Sequence, residues 1–194
     1  MEGRPPAIRL VGLHAVLEPL DDAHREALRT ACDADQEIWQ IYPYSMGGEH
    51  FDAFWKSVRA RQESGALVPF AVLHVGKVVG ISCLALDGRN RAVDIGGTYY
   101  HPEVRGTAVN PEAKRLLMAH AFDHGVRRVA FKVDAVNARS RAAVLKLGAI
   151  QEGILRADTL TWTGRMRDTV VFSVLADEWP AVRDRLDARL AAFA

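Results

Sequence analysis

Two short stretches of this chain carry residue types at spacings that suit chemistry. The first, Arg105-Gly106-Thr107-Ala108-Val109-Asn110, leads from an alternating apolar run into a helical one. Gly106 to Val109 carry no bulky polar side chain, so the backbone amides there are open to close approach. Exposed amides at a helix N-terminus attract a phosphate-bearing ligand. The second stretch, Asn137-Ala138-Arg139-Ser140, opens a helix directly after the next strand. A side-chain amide at such a point can hold a ligand amide, and a hydroxyl can give up a proton. Neither stretch is diagnostic alone. Residues 105–110 lack the three spaced glycines of a dinucleotide fingerprint and the signature of a P-loop. They read equally as a plain strand-to-helix connection, with Asn110 as N-cap and Pro111 at the first helical position. Asn137 and Ser140 likewise read as a cap and a first-turn residue. Arg105, Lys114 and Arg115 add positive charge near the first stretch, and Glu112 opposes it.

Other candidates are weaker. His120 and His124 lie four apart on a helix without the glutamate of a metalloprotease pattern, so no metal site is expected. His101, before Pro102, reads as a turn residue. Trp39, Tyr42, Tyr44 and Trp55 read as core, although the irregular segment 36–50 between two helices would also serve as a lid over a cleft. Arg183, Arg185 and Arg189 interleave with Asp184 and Asp187 on a solvated helix face.

The elements that position these residues follow from periodicity. Leu10–Leu20 reads as a strand, with Asp21 and Asp22 capping a helix that runs to about Cys32. A second helix spans about Phe51–Ser64. Strands at Phe70–Val75 and Lys77–Leu86 form a hairpin turning near Gly76, and Asp87–Asn90 is a turn. Val93–Tyr100 is the next strand. Ala113, Leu116, Leu117 and Ala121 place a helix over Pro111–His124. Val129, Phe131 and Val133 mark a strand whose two faces differ. Ala138–Leu147 is a short helix ended by Gly148. Strands at Ile150–Trp162 and Asp168–Leu175 turn at Thr163-Gly164, and a helix from about Asp177 closes the chain with Trp179, Val182, Leu186 and Leu190 on one stripe. The expectation is one α/β domain over residues 1–194 with a mostly antiparallel sheet.

Composition narrows the classes. The 194 residues carry 25 basic and 24 acidic side chains, a net charge of +1, so no basic field points to nucleic acid. Cys32 and Cys83 lack metal spacing and read as reduced thiols. The apolar region 67–86 is broken by Pro69, His74 and Lys77, which argues against a membrane span, and residues 1–10 lack a signal-peptide core. A cytoplasmic location is expected.

The stretch from Tyr100 through His101, Pro102, Glu103 and Val104 to Asn110 resembles the acetyl-CoA loop of the GNAT superfamily. Asn137 and Ser140, then Lys146-Leu147-Gly148-Ala149, Glu152-Gly153, Arg167-Asp168 and Glu178-Trp179-Pro180, are similar to its Rim-type branch, whose members acetylate N-terminal amines of ribosomal proteins. The resemblance covers nearly the whole chain and is strongest over 94–180. Ala108 and Asn110 depart from the family's glycine-like positions. The resemblance implies a mostly antiparallel mixed central sheet with helices on both faces. It also implies acetyl-CoA as co-substrate. Pantetheine would pair along the strand near Tyr99 and Tyr100, pyrophosphate would sit on the loop, from Arg105 through Gly106, Thr107, Ala108 and Val109 to Asn110, and Asn137 would hold the pantetheine arm.

The implied chemistry is direct attack of an amine on the thioester. A lysine amine is neutral in only roughly one molecule in 2,500 at pH 7, whereas an α-amine costs about 1 kcal/mol to deprotonate. Asp94 is the candidate base. The helix 138–147 has no tyrosine, so Ser140 takes the role of acid toward the leaving thiolate. Juxtaposing the two substrates supplies more rate than either proton transfer. The expected acceptor is a protein or peptide N-terminus. A small amine (polyamine, amino acid derivative or aminoglycoside) and a non-catalytic acyl-CoA-binding module are the alternatives, and a homodimer is left open.

Overall fold

The long apolar alternation after Gly65 becomes three antiparallel strands in the computed structural model, which describes residues 3–87 and 90–193. These are β3 (Leu67–His74), β4 (Lys77–Asp87) and β5 (Ala92–Tyr100). Val75 and Gly76 both adopt positive φ, 47° and 74°, the primed geometry that a two-residue hairpin favours. The expected turn at 87–90 falls partly outside the described residues. The expected first strand is two: Leu10–Val11 (β1) folds back on Val16–Pro19 (β2), which pairs with β3.

The remaining elements are α1 (Arg25–Asp33), α2 (Phe51–Glu63), α3 (Val109–Asp123), β6 (Arg128–Asp134), α4 (Ala138–Leu147), β7 (Ile150–Leu160), β8 (Met166–Leu175) and α5 (Trp179–Ala191). Asp21 caps the turn that leads into α1 through a capping box with His24. Gly148 ends α4 at φ 95°, where a side chain on any other residue would strain the backbone.

The strands form one sheet in the order β1-β2-β3-β4-β5-β6-β8-β7, and every pair but β5–β6 is antiparallel. One face packs against α3, α4 and α5 around Phe70, Leu117, Phe172 and Val182. The other packs against α1 and α2 around Trp39, Phe51, Ile81 and Tyr99. Two irregularities in the middle of the sheet shape everything that follows. The parallel pairing of β5 and β6 lasts only from Ala92↔Arg128 to Asp94↔Ala130, while β6 continues against β8 as far as Asp134↔Thr169. Between Ile81↔Tyr99 and Cys83↔Gly96, β4 advances two residues and β5 three, so β5 carries a bulge. Gly97 turns the bulge at φ 58°.

Candidate active site

Where β5 and β6 part, they leave a cavity of about 460 Å³ walled by Ile95–Thr98 and Tyr100 on one side and Phe131–Asp134 on the other. Beyond Asp94, β5 has no strand partner on its β6 side, so that edge keeps free backbone groups for an extended guest. The bulge determines which residues it shows. Val93 and Ile95 face the α3 side, and an unbroken strand would put Tyr99 with them. Tyr99 instead lies in the α1–α2 core, fully buried, its hydroxyl donating to Ala31 O at 2.7 Å. Its carbonyl points at β4, lying 2.1 Å from where a Cβ on Gly80 would be. Thr98 and Tyr100 therefore present their backbone to the open edge. The carbonyl of Thr98 accepts from the Tyr42 hydroxyl at 2.7 Å, and that of Tyr100 from Arg105 Nε at 2.9 Å. Of the two tyrosines expected along the pantetheine, only Tyr100 lines the cavity, and its buried hydroxyl has no hydrogen-bond partner.

The loop ends the same cavity. The helix starts earlier than its sequence predicts: Ala108 occupies the cap, Asn110 lies inside the first turn and Pro111 follows it. The expected Asn110 cap is therefore incorrect. Thr107 does the work instead, its hydroxyl accepting from Val109 N–H at 3.3 Å while donating to Val104 O at 2.8 Å. Gly106 has φ 83° and open space where a Cβ would stand. The amides of Gly106, Thr107, Ala108 and Asn110 make no hydrogen bond among the described residues. The side chains of Ala108 and Val109 point into the core, so these two residues offer only backbone to a ligand.

The nearby charges are not where the sequence suggests. Arg105 is tied to Asp35 at 2.5 Å, and Arg115 makes a forked pair with Asp187 on α5. Glu112 does not oppose an anion at the loop. It is buried and turned away, accepting from the amides of Leu13, His14 and Ala15 at 3.0, 2.6 and 2.6 Å. Lys114 enters the interior, where Nζ donates to Thr98 Oγ1 at 2.6 Å and Ser82 Oγ at 3.0 Å. Among the described residues no carboxylate meets it, and burial pushes its ammonium down to about 7. The cations that line the cavity beside the loop and α4 are Arg139, Lys146 and Arg189.

Asn137 caps α4, its side-chain oxygen accepting from Ser140 N–H at 2.9 Å, which leaves its amide NH₂ uncommitted among the described residues of a cavity that Asn137 lines. Ser140 lines the cavity as well, and its hydroxyl is uncommitted among the described residues. Asp94 is not brought to the site. It lies at the apex where β5 and β6 still pair, outside the cavity lining, and holds Lys132 Nζ at 2.7 Å. The one acidic side chain on the cavity wall is Asp134, which already accepts from Arg165 at 2.5 Å and from Val136 N–H.

The aromatic segment divides in two. Trp39 is core, packed on Tyr42 and Tyr99, while Tyr42, Pro43 and Tyr44 wall the cavity. The tip of the β7–β8 hairpin holds this segment: Trp162 donates its indole N–H to Trp39 O at 2.9 Å and its amide to Pro43 O at 3.1 Å. Among the described residues no group of His, Cys, Asp and Glu is arranged to hold a metal. His120 and His124 are bonded to the carbonyls of Pro6 and His120. Tyr44 walls the cleft as the lid reading expects, whereas the sequence reading makes Lys114 only positive charge beside the loop and gives Arg167 no role in the site. A lysine three residues before Leu117 and seven before Ala121 stands on the buried stripe of α3, and that spacing could have found it. Arg167 carries no local signal.

An extended thiol-bearing arm ending in phosphates fits this cleft: a free strand edge, an orphaned buried hydroxyl at Tyr100 and a loop of unpaired amides lie in sequence along it. The acetyltransferase (GNAT) domain family matches residues 14–150. No curated protein sequence matches the chain. A GCN5-related N-acetyltransferase from Brucella melitensis is similar over 96% of this chain and 87% of its own, at 30% identity and a TM-score of 0.88. RimJ from Mycobacterium smegmatis, solved with CoA-disulfide, is similar in fold over 97% of this chain and 96% of its own, at 22% identity and a TM-score of 0.82. The microcin C7 self-immunity acetyltransferase MccE, solved with acetyl-CoA and AMP, shares the fold over 84% of this chain and 93% of its own, at 17% identity and 0.73. A family match from 14 to 150 and a structural likeness at 30% identity over nearly the whole chain decide the matter: the chain belongs to the GNAT N-acetyltransferase family.

Proposed function

We propose that the protein transfers an acetyl group from acetyl-CoA to a primary amine, foremost the α-amine of a protein or peptide N-terminus. The supply of bases in the cleft carries this choice. Asp134 is paired and Asp94 is outside the cavity, so the acceptor's face of the site holds no free carboxylate. Lys114 approaches from the α3 face, opposite the one on which Tyr44 and Arg167 lie. An acceptor that needs little deprotonation suits such a site, and an α-amine needs about 1 kcal/mol at pH 7 against about 5 for a lysine amine. The fold likeness to RimJ is in keeping with the Rim-type resemblance of the sequence.

In this reading the thioester arm lies along the free edge of β5, the amides of Gly106, Thr107, Ala108 and Asn110 take the pyrophosphate, and the NH₂ of Asn137 holds the arm from the opposite wall. Arg139, Lys146 and Arg189 supply positive charge at the mouth. Ser140 donates a proton toward the departing thiolate. Asp94 has no part in the reaction.

The test compares two short peptides at pH 7 by thiol release. One has a free N-terminus and no lysine, and the other is N-terminally blocked and carries lysine. Faster turnover of the first is expected. Equal or reversed rates would overturn the acceptor assignment and favour a small polyamine-like substrate.

A further inference from the structure

Arg167, on β8, is a charged side chain of the cleft that the chain buries, among the described residues, with neither an opposite charge in contact nor, unlike Lys114, a hydroxyl to donate to. It is 8% exposed, and its Nε is enclosed without a hydrogen-bond partner. Among the described residues its guanidinium makes no hydrogen bond and no ion pair. The carboxylates around it are engaged elsewhere. Asp134 binds Arg165 and the Val136 amide, and Asp158 accepts from Thr159 and Thr169. Arg165 adds a second positive charge nearby, and Tyr44 brings a hydroxyl.

A buried guanidinium with nothing to complete it is costly to a fold, and its planar fork matches a carboxylate in a bidentate pair. Its place in the sheet says which substrate would supply one. Val170, Phe172 and Val174 face α3 and α5, so Arg167 and Thr169 alternate onto the α1–α2 face. Tyr44 reaches over the same face, its hydroxyl 3.3 Å from where a Cβ on Gly97 would stand. The phosphate loop, α3 and α4 all lie on the other face. Arg167 therefore lines the cavity from the face of the sheet opposite the one that carries the loop, α3 and α4.

We propose that Arg167 is the anion receptor of the acceptor half of the cleft, and that the acceptor carries a carboxylate next to its reacting amine. The inference rests on the amine acetyltransferase reading and names the class of amine. The carboxylate has two sources: the α-carboxylate of a free amino acid, or an acidic side chain at the first position of a peptide. A polyamine, which would bring cations to Arg167 and Arg165, is disfavoured.

The experiment uses matched pairs that differ in the anion, with every kcat/KM referred to the neutral form of the amine: a free amino acid against its carboxamide, and a peptide beginning with Asp against the same peptide beginning with Asn. Thiol release gives kcat/KM for each with the wild-type protein, with Arg167→Met and with Arg167→Lys. Calorimetry on the CoA-saturated protein gives acceptor binding without turnover. A preference of about tenfold or more for the carboxylate member of at least one pair is expected, in line with a charge-assisted bond. Arg167→Met should erase it by raising KM, Arg167→Lys should keep part of it, and acetyl-CoA affinity should be unchanged in both. The pair that shows the preference identifies the source of the carboxylate. Equal kcat/KM within both pairs in the wild-type protein overturns the inference, and this comparison needs no variant to fold. Retained discrimination in Arg167→Met overturns it too. Carboxylate binding that depends on Arg167 but never leads to turnover would uphold the receptor while refuting the transferase reading.

Discussion

Ser140 and Lys114 are both polar residues on the cleft wall, yet their surroundings give them different consequences. Ser140 donates its amide to the cap of α4 and keeps its hydroxyl uncommitted, so the helix does not depend on the hydroxyl. Ser140→Ala should therefore leave stability and acetyl-CoA affinity nearly unchanged and lower kcat by about 10²-fold if the hydroxyl is the acid. Steady-state kinetics with a confined rise in KM would make it a binding residue instead. Lys114 is a statement about stability. Its folded pKa, about 7, lies below the value near 10.4 of an unfolded lysine. Between those limits the unfolded chain holds the proton and the folded chain does not, so the stability of the wild-type protein rises with pH there, by up to about 1.4 kcal/mol per unit. Lys114→Met removes that dependence, and Ser82 and Thr98 can satisfy each other across 2.8 Å. Urea denaturation at pH 7 and pH 9 should show the variant's advantage at the lower pH shrinking or reversing at the higher one.

At the scale of elements, the outermost strand pair β1–β2 is short and makes few connections, yet it is pinned from a distance. The carboxylate of Glu112, in the first turn of α3, closes the turn between β1 and β2 through three amides. Gly12 has no side chain because one would strike that carboxylate at 2.4 Å. The turn thus locks the edge of the sheet to the helix into which the loop 105–110 leads. Glu112→Ala leaves three donors without partners and should destabilise the protein by about 3 kcal/mol. Chemical denaturation measures the loss, and faster amide exchange at Leu13 to Ala15 would localise it. The segment 38–44 is held in the same way by the tip of the β7–β8 hairpin through Trp162. A loop far away in the chain thereby fixes one wall of the cleft.

Across the whole molecule, the cleft exists because the sheet divides. β5 stays with β4 and β6 stays with β8, so the two halves of the sheet carry opposite walls and meet only over three residue pairs. A ligand lying between them and along the loop bridges both halves and binds the folded state alone. Saturating acetyl-CoA, at 100 times its dissociation constant, should add about 2.7 kcal/mol to stability and raise Tm accordingly. Gly106→Val should lose most of that shift, because it strains a backbone at φ 83° and crowds the free amides, and scanning calorimetry with and without acetyl-CoA tests it. Ala108→Glu is not a clean probe of the same site, since it would bury a charge in the core.

Periodicity placed the helices and most strands because each is specified by its own residues: apolar spacing on α3 and α5, the Asn137 cap and Gly148 stop of α4, the Val75-Gly76 turn. The loop 105–110 and the pair Asn137 and Ser140 were visible for the same reason, as short stretches whose chemistry is local. Tertiary structure decided the rest. The Gly97 bulge reverses which face Tyr99 takes, and no alternation rule anticipates an inserted residue. Arg105, Glu112 and Lys114 look alike as charges around a loop until partners 70, 97 and 32 residues away take each in a different direction. Arg167 has no such partner, which only the packed sheet could show. The sequence by itself determined the elements and the loop that ends the cleft. Which side chains line that cleft, and which charge in it is left open for a substrate, depends on contacts between distant segments and was settled only by the fold.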